Sequence, residues 1–330
     1  NGVVLNGHVA NTTIARNEFD HVGDSAVVAV GDAQWIYGLE HSYPVGNVIT
    51  QNFIHDIGVF GKQTSCFFQA LTAETTLSDN VCFNGPRAGI NFNDGFYGGH
   101  VVEGNLVFNM VRETGDHGPF NSWDRQPYIT RNGVDDGFTP EQRGAPDGTS
   151  IIAAPSIITR NFMINGYNGV WTIDHDDGSQ FFNDTSNLLV FGGCKNYLGH
   201  SKTCDHNLIV YPGIPERSSG NRRCQTDDNH VFANQYFHDN HCITHDGGTY
   251  TFGSCNATDL STTVYQTWDN TFYAPNASFG EECGLASLSA WQQAGQDRGS
   301  TVQPAPDVAT IVDMARRWLH MTSTEGGGRE

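Results

Sequence analysis

Between residues 13 and 161 the chain repeats one short pattern of apolar and polar positions. A few apolar or β-branched residues alternate with polar ones and lead into an asparagine, and an apolar residue follows two places on. The segments are Thr13-Ile14-Ala15-Arg16-Asn17, Val48-Ile49-Thr50-Gln51-Asn52, Thr76-Leu77-Ser78-Asp79-Asn80, Val101-Val102-Glu103-Gly104-Asn105 and Ile157-Ile158-Thr159-Arg160-Asn161. Period-two alternation predicts short half-buried strands, and their β-branched content agrees. Helical periodicity is nearly absent. A repeat of roughly 20 to 50 residues marks stacked-coil proteins. The asparagines stand 35, 28, 25 and 56 residues apart. The middle spacings suit one turn of a three-sided parallel β-solenoid.

Asparagine suits this position because it carries both a donor and an acceptor. It also tolerates the left-handed backbone of sharp bends. The 35-residue spacing predicts a loop near Asp32–Tyr43. The 56-residue spacing predicts one coil with an excursion over about 125–155, because 131–149 is rich in Gly, Pro and Asp. Further strand starts are read at Asn187, Asn207 and Asn229. Near the end Val308, Ile311, Val312, Ala315, Trp318 and Leu319 share one helical face, with Asp307 as its cap. That helix is expected to cover the open end of the solenoid. Residues 1–300 are thus read as the solenoid, and 301–330 as a capping helix and flexible tail. The first residues already read as strand and turn, so earlier coils or a cap are expected to be missing.

Charge narrows the function. The chain has 330 residues, 17 basic and 36 acidic, for a net charge of −19. No basic face is visible for a phosphate backbone, which excludes nucleic acid as a partner. A polyanionic glycan is disfavoured unless local Arg, Lys or a bound cation offsets the charge. No apolar run is long enough to span a membrane. The eight cysteines lack C-x-x-C spacing, so disulfides are favoured over zinc. Sequons at Asn11, Asn183, Asn256 and Asn276 join them in predicting a secreted glycoprotein. The rival reading is a cytosolic protein with free buried thiols.

Counting forward from three asparagines turns the repeat into a ruler. From Asn80 it reaches Asn91, Asn93 and Asp94. From Asn105 it reaches Asp116, His117 and Asn121. From Asn161 it reaches Asp174, Asp176 and Asp177. On adjacent coils these groups lie about 5–10 Å apart. Paired carboxylates at such separations cleave glycosidic bonds, one as acid and one as nucleophile or base. Packing like charges together raises one pKa and supplies the acid. Trp123 and Trp171 offer indole faces to a sugar. Arg87, Arg112 or Arg125 can bond hydroxyls, and His117 and His175 can orient a carboxylate or move protons. The plain alternative is that the Asp residues build turns and the Trp residues pack a bend. Asp174, Asp176 and Asp177 before Gly178 also suggest a Ca²⁺ loop, though no Glu closes it. No G-x-S-x-G motif supports a serine nucleophile.

The strings GPRAGINFNDGFYGGH (85–100), RETGDHGPFNSWDR (112–125) and IDHDDGS (173–179) resemble right-handed parallel β-helix proteins of the pectin-lyase-like superfamily. More narrowly, they are similar to glycoside hydrolase family 141 and its uncharacterised relatives. AWQQAGQDRGS (290–300) resembles the segment that closes the helix there. The resemblance covers roughly residues 45–300. It implies hydrolysis of plant or algal cell-wall glycans, with fucosidase and xylanase activities. The matching candidates are Asp116, His117, Asp174, Asp176 and Asp177. The family favours Leu where this chain has His175, and a polar-aromatic pair where it has Gln180-Phe181-Phe182.

The reading is an all-β, right-handed parallel β-helix with three sheets and a C-terminal capping helix. Its first function is a secreted glycoside hydrolase acting on cell-wall or matrix polysaccharide. Asp116 and the Asp174–Asp177 cluster supply the carboxylates. Asn91, Asn93, Asp94, Arg112, Asn121, Trp123, Arg125 and His175 bind substrate. No cofactor is required unless Ca²⁺ is used. The alternatives are a non-catalytic glycosylated subunit of an extracellular fibre or coat, assembling as a homo-oligomer or filament, and a Ca²⁺-dependent polysaccharide lyase.

Overall fold

The computed structural model describes residues 1–31, 43–96, 98–123, 128–130, 133–135, 154–176, 178–197, 199, 201–213, 223–227, 235–245, 265–279 and 284–321. Three parallel sheets carry the chain in a repeating order, one strand per sheet per coil. Among the described residues they hold eight, nine and ten strands. Sheet 1 runs from Val3–Asn6 to Gln225–Asp227, sheet 2 from Thr13–Ala15 to Tyr265–Trp268, and sheet 3 from Glu18–Asp20 to Thr301–Pro304. The architecture is a parallel β-helix.

The repeated pattern explains why these segments become strands. In sheet 3, the apolar residue two places after each asparagine points into the lumen. Phe19, Ile54, Cys82, Val107, Met163, Leu189, Ile209, Cys242 and Phe272 form one buried stack. Sheet 2 contributes Ile14, Ile49, Leu77, Val102 and Ile158. Three disulfides, Cys66–Cys82, Cys194–Cys204 and Cys224–Cys242, each tie two sheets across this lumen.

The asparagines form one continuous ladder. The backbone amide of each donates to the side-chain oxygen of the next, from Asn17 through Asn52, Asn80, Asn105, Asn161, Asn187, Asn207 and Asn240 to Asn270, at 2.8–3.0 Å. Each side-chain amide also bonds a carbonyl, as Asn105 does with Leu77 at 2.9 Å. The left-handed residue of the bend is the one before each asparagine: Arg16, Gln51, Asp79, Gly104, Arg160, Ser186, His206, Asp239 and Asp269. The asparagine itself stays outside that conformation and turns its amide inward. The rung after Asn207 is Asn240, not Asn229, which lies outside the described residues.

The 56-residue spacing holds a single coil with an excursion. Val101–Glu103 pairs directly with Ser156–Thr159. Between them the described residues include one antiparallel pair, Tyr128–Thr130 with Gly133–Asp135.

The C-terminal helix Val308–Trp318 forms as expected, with Asp307 accepting from the Thr310 amide at 2.8 Å. It does not cover the open end. Ile311 packs on Leu188, Leu208, Val210 and Ile243, so the helix lies along the flank of sheet 3. Those outward residues are apolar and need cover, whereas the far end has another plug. A short helix, Leu288–Gln293, buries Trp291 completely against the core. The Trp291 indole donates to Asp297, which also accepts from the last rung, Asn270, at 2.9 Å. The tail 322–330 lies outside the described residues.

Candidate active site

The outward face of sheet 1 departs from the rest of the solenoid. An outward strand row ordinarily meets solvent. Here Asn91, Asn121, Asp174 and Lys195 stand side by side on four successive coils, and each is at most 4% exposed. Of the residues the ruler reached, Asn91, Asn121 and Asp174 do stand on adjacent coils. The backbone ladder continues beyond these strands through the amides of Trp123, Asp176 and Tyr197. That places Asn93, Trp123, Asp176 and Tyr197 in a second row, two residues along.

The buried row is wired end to end. Arg87 donates to Asn91 and, at 3.2 Å, to Asn121. Asn121 donates to Asp174 Oδ2 at 3.1 Å. The Lys195 ammonium lies 3.0 Å from Asp174 Oδ1 and 2.7 Å from Asp176 Oδ1. It also sits 4.2 Å from the centre of the Trp171 ring. In the second row, the Asn93 side-chain oxygen accepts from both Asn91 and the Trp123 indole. Burial of this polar row is tolerated because most of its polar atoms find partners within it.

Local structure sets the rim. Asp116 is exposed at a left-handed bend, φ 63°. His117 follows and lies one coil above Arg87. Gly118 must be glycine, because a Cβ there would come 1.8 Å from the Trp171 carbonyl oxygen. This close approach brings the Asp116-His117 turn down onto the Trp171 coil.

The electrostatics follow from burial against pairing. Burial pushes Asp174 up to about 7; Lys195 opposes this, while Asp176 and Asp116 add to it. The sequence reading placed the cause in crowded carboxylates, but desolvation is the larger effect. Burial also works against the charge on Lys195, yet Asp174 and Asp176 together hold its pKa above the ordinary value. Burial lowers Arg87, partly offset by the same two carboxylates. His117 is lowered to about 4, by burial first and then by Arg87. It is therefore neutral near pH 7. His117 Nδ1 and Arg87 Nε are buried without a hydrogen bond, so each retains an unused polar atom.

Not every predicted residue belongs here. His175 does not face this site. The strand alternation turns it into the lumen, where Nδ1 meets Ser122 Oγ at 2.7 Å and Nε2 meets Asp184 at 2.8 Å. All three are buried among Phe120 and Phe182. Burial lowers the His175 pKa, and no substrate reaches it. Arg112 is exposed, with its backbone tied to Gly85 and Asn168. Asp177, Arg125 and the Asp94 side chain lie outside the described residues. Of the sequons, Asn11 and Asn276 are exposed at left-handed bends, Asn183 is half-buried within Phe182–Thr185, and Asn256 lies outside the described residues.

Lys195 and Tyr197 escaped the sequence reading. Lys195 lies one short coil after Asp174, close to the 20-residue step from Asn187 to Asn207. It lies only 8 residues past Asn187, short of the 11–16 that the ruler counts, so register and not spacing finds it. Its position also bears on calcium. Asp174 and Asp176 already share an ammonium where a Ca²⁺ ion would need their oxygens, so the donor set does not fit that ion.

No protein-family model matches this chain, and no curated protein matches it. Among solved structures it is similar to DFA-IIIase from Arthrobacter chlorophenolicus A6. The match has 12% identity and a TM-score of 0.43, over 89% of this chain and 61% of that one. The same enzyme in complex with GF2 matches at 14% identity and a TM-score of 0.41, over 80% and 56%. This chain thus spans less than two thirds of that enzyme's length. At this identity and TM-score the likeness says nothing of chemistry.

Proposed function

We propose that this protein is a secreted glycoside hydrolase acting on a neutral cell-wall or matrix polysaccharide across the outer face of sheet 1. The observation that carries the reading is the buried Asn91–Asn121–Asp174–Lys195 row with Asp176 and Asp116 above it. A purely structural outward row has no need of a shut-in lysine between two carboxylates.

In this reading Asp176 and Asp116 are the carboxylates that meet the sugar. Asp176 is about a quarter exposed and Asp116 is exposed. One protonates the glycosidic oxygen, and the other attacks the anomeric carbon or activates water. Lys195 holds Asp176 in place. Asp174 lies beneath and sets the charge of that pair through its own proton, as a positioning residue. Neutral His117 offers a hydrogen bond to a hydroxyl. Trp123 and Tyr197 border Asp176 and provide flat faces for sugar C–H surfaces. The resemblance of 85–100, 112–125 and 173–179 to glycoside hydrolase family 141 supports the same class. Three disulfides suit an oxidising compartment.

The lyase reading is separable by experiment, because Lys195 and Arg87 give the site the cations that reaction uses. The protein is incubated with xylans, fucose-rich glycans and pectate. New reducing ends and ultraviolet absorbance are both read, with and without chelator. The expected result is reducing ends from a neutral glycan, with no ultraviolet product and no effect of chelator. An unsaturated product lost on chelation, or no product from any glycan, overturns the reading.

A further inference from the structure

Away from sheet 1, the bend between sheets 2 and 3 carries a second cluster with different chemistry. On two adjacent coils, Asp205 and His206 precede the rung Asn207, and His238 and Asp239 precede the rung Asn240. Register pairs Asp205 with His238. One ring nitrogen of His206, one of His238 and one Asp205 oxygen all lie within 4.8 Å of one another.

Three features make this more than a crowd of polar groups. First, each imidazole is oriented by a carboxylate: His206 Nδ1 lies 2.9 Å from Asp205 and His238 Nδ1 lies 2.7 Å from Asp239. At His238 the Asp239 carboxylate fixes the tautomer and leaves Nε2 with its lone pair, as in metal-binding histidines; at His206 the neighbouring carboxylate is Asp205, itself one of the three donors. Second, the Trp268 indole stacks flat on His238, 4.0 Å away and 9° from parallel, which removes ring freedom before any ion arrives. Third, the backbone beneath is fixed by the asparagine ladder, so the two coils hold their spacing without a ligand. His206 also lines a cleft of about 780 Å³ between the C-terminal helix and the solenoid, beside His241, Tyr273 and Trp318. An ion held at His206 would have an open side facing that cleft.

We propose that His206, His238 and Asp205 form a divalent transition-metal site, with zinc as the ion that two imidazoles and a carboxylate favour. Asp239 is its positioning residue. A second cluster, Asp20, His55 and Asp56, has one imidazole only and serves as the internal control.

The test uses the full chain with its disulfides intact and any free thiols alkylated. Zn²⁺ binding is followed by calorimetry, and Co²⁺ is added separately to read visible d–d absorption. The expected result is one Zn²⁺ per chain and tetrahedral-type Co²⁺ bands. His206→Ala and His238→Ala should each weaken binding at least tenfold and abolish the bands, and Asp239→Asn should weaken it roughly tenfold. His55→Ala should leave both unchanged. All four positions lie on the outer surface, and thermal melts check that each variant is folded. No Zn²⁺ binding, binding unaltered by both histidine variants, or binding lost in His55→Ala each overturns the proposal.

Discussion

Asp174 is a carboxyl group with no access to water and a lysine for a neighbour. Its folded pKa of about 7 lies above the ordinary value of 3.8. The folded protein therefore holds this proton where the unfolded chain has lost it. The stabilising contribution is full below pH 4 and is lost as pH rises towards 7. Asp174→Asn keeps the neutral shape and removes the titration. Its melting temperature should vary less than the wild type's between pH 4 and 7, as read by calorimetry; equal slopes would contradict the assignment. Lys195→Met makes the complementary case. Removing one partner of a buried pair costs about 3–5 kcal/mol. Here Asp174 can take up a proton instead, so the loss should be smaller at pH 5 than at pH 8 in urea unfolding.

The residues that sequence reasoning misplaced show where it fails. His175 sits between Asp174 and Asp176 and carries the same polar label. A one-residue step along a strand reverses the face, and only the register shows that His175 enters the lumen. Its lumenal partner Asp184 is equally hard to foresee, because it stands in a row otherwise filled by residues such as Ile158 and Cys204. Lys195 escapes the ruler because its coil is short: it follows Asn187 by 8 residues, where the earlier clusters follow their asparagines by 11 to 16.

At the scale of elements, one side chain recurs at the bend from sheet 2 to sheet 3. Asn105 accepts from the Asn80 amide and donates to Leu77 and Asn161. Asn105→Ala leaves buried backbone groups unpaired and should cost about 1–3 kcal/mol. Chemical denaturation measures this, and a change within error would mean that water or backbone shifts replace the rung. The helix around Trp291 is a second test. Trp291→Ala empties the end of the core and leaves Asp297 without its indole donor. A loss of about 3–5 kcal/mol is expected. The ladder itself was legible early, because its period is carried by a single residue type. The end plug was less so. A six-residue helix with one buried Trp has too short a pattern to read, whereas the longer C-terminal helix was plain in sequence and only its docking place differed.

For the molecule as a whole, the solenoid converts distance along the chain into neighbours. Asn91, Asn121, Asp174 and Lys195 are far apart in sequence and adjacent in space, which builds a buried polar row on sheet 1. The flank of sheet 3 is treated in the opposite way: its apolar outward row is sealed by the C-terminal helix. One solenoid thus keeps a buried polar row on sheet 1, a covered face on sheet 3 and a corner rich in histidine.

On the proposed reading, Asp176 and Asp116 cleave a glycosidic bond on the sheet 1 face. The direct measurement is kcat/KM for wild type, Asp176→Asn and Asp116→Asn on the glycan that yields reducing ends. Circular dichroism and melting temperature confirm the fold of each variant. Removing a carboxylate that acts in the transition state should lower kcat/KM by about 100-fold or more. If both variants turn over that glycan as fast as the wild type, the carboxylates of this face do not carry the reaction.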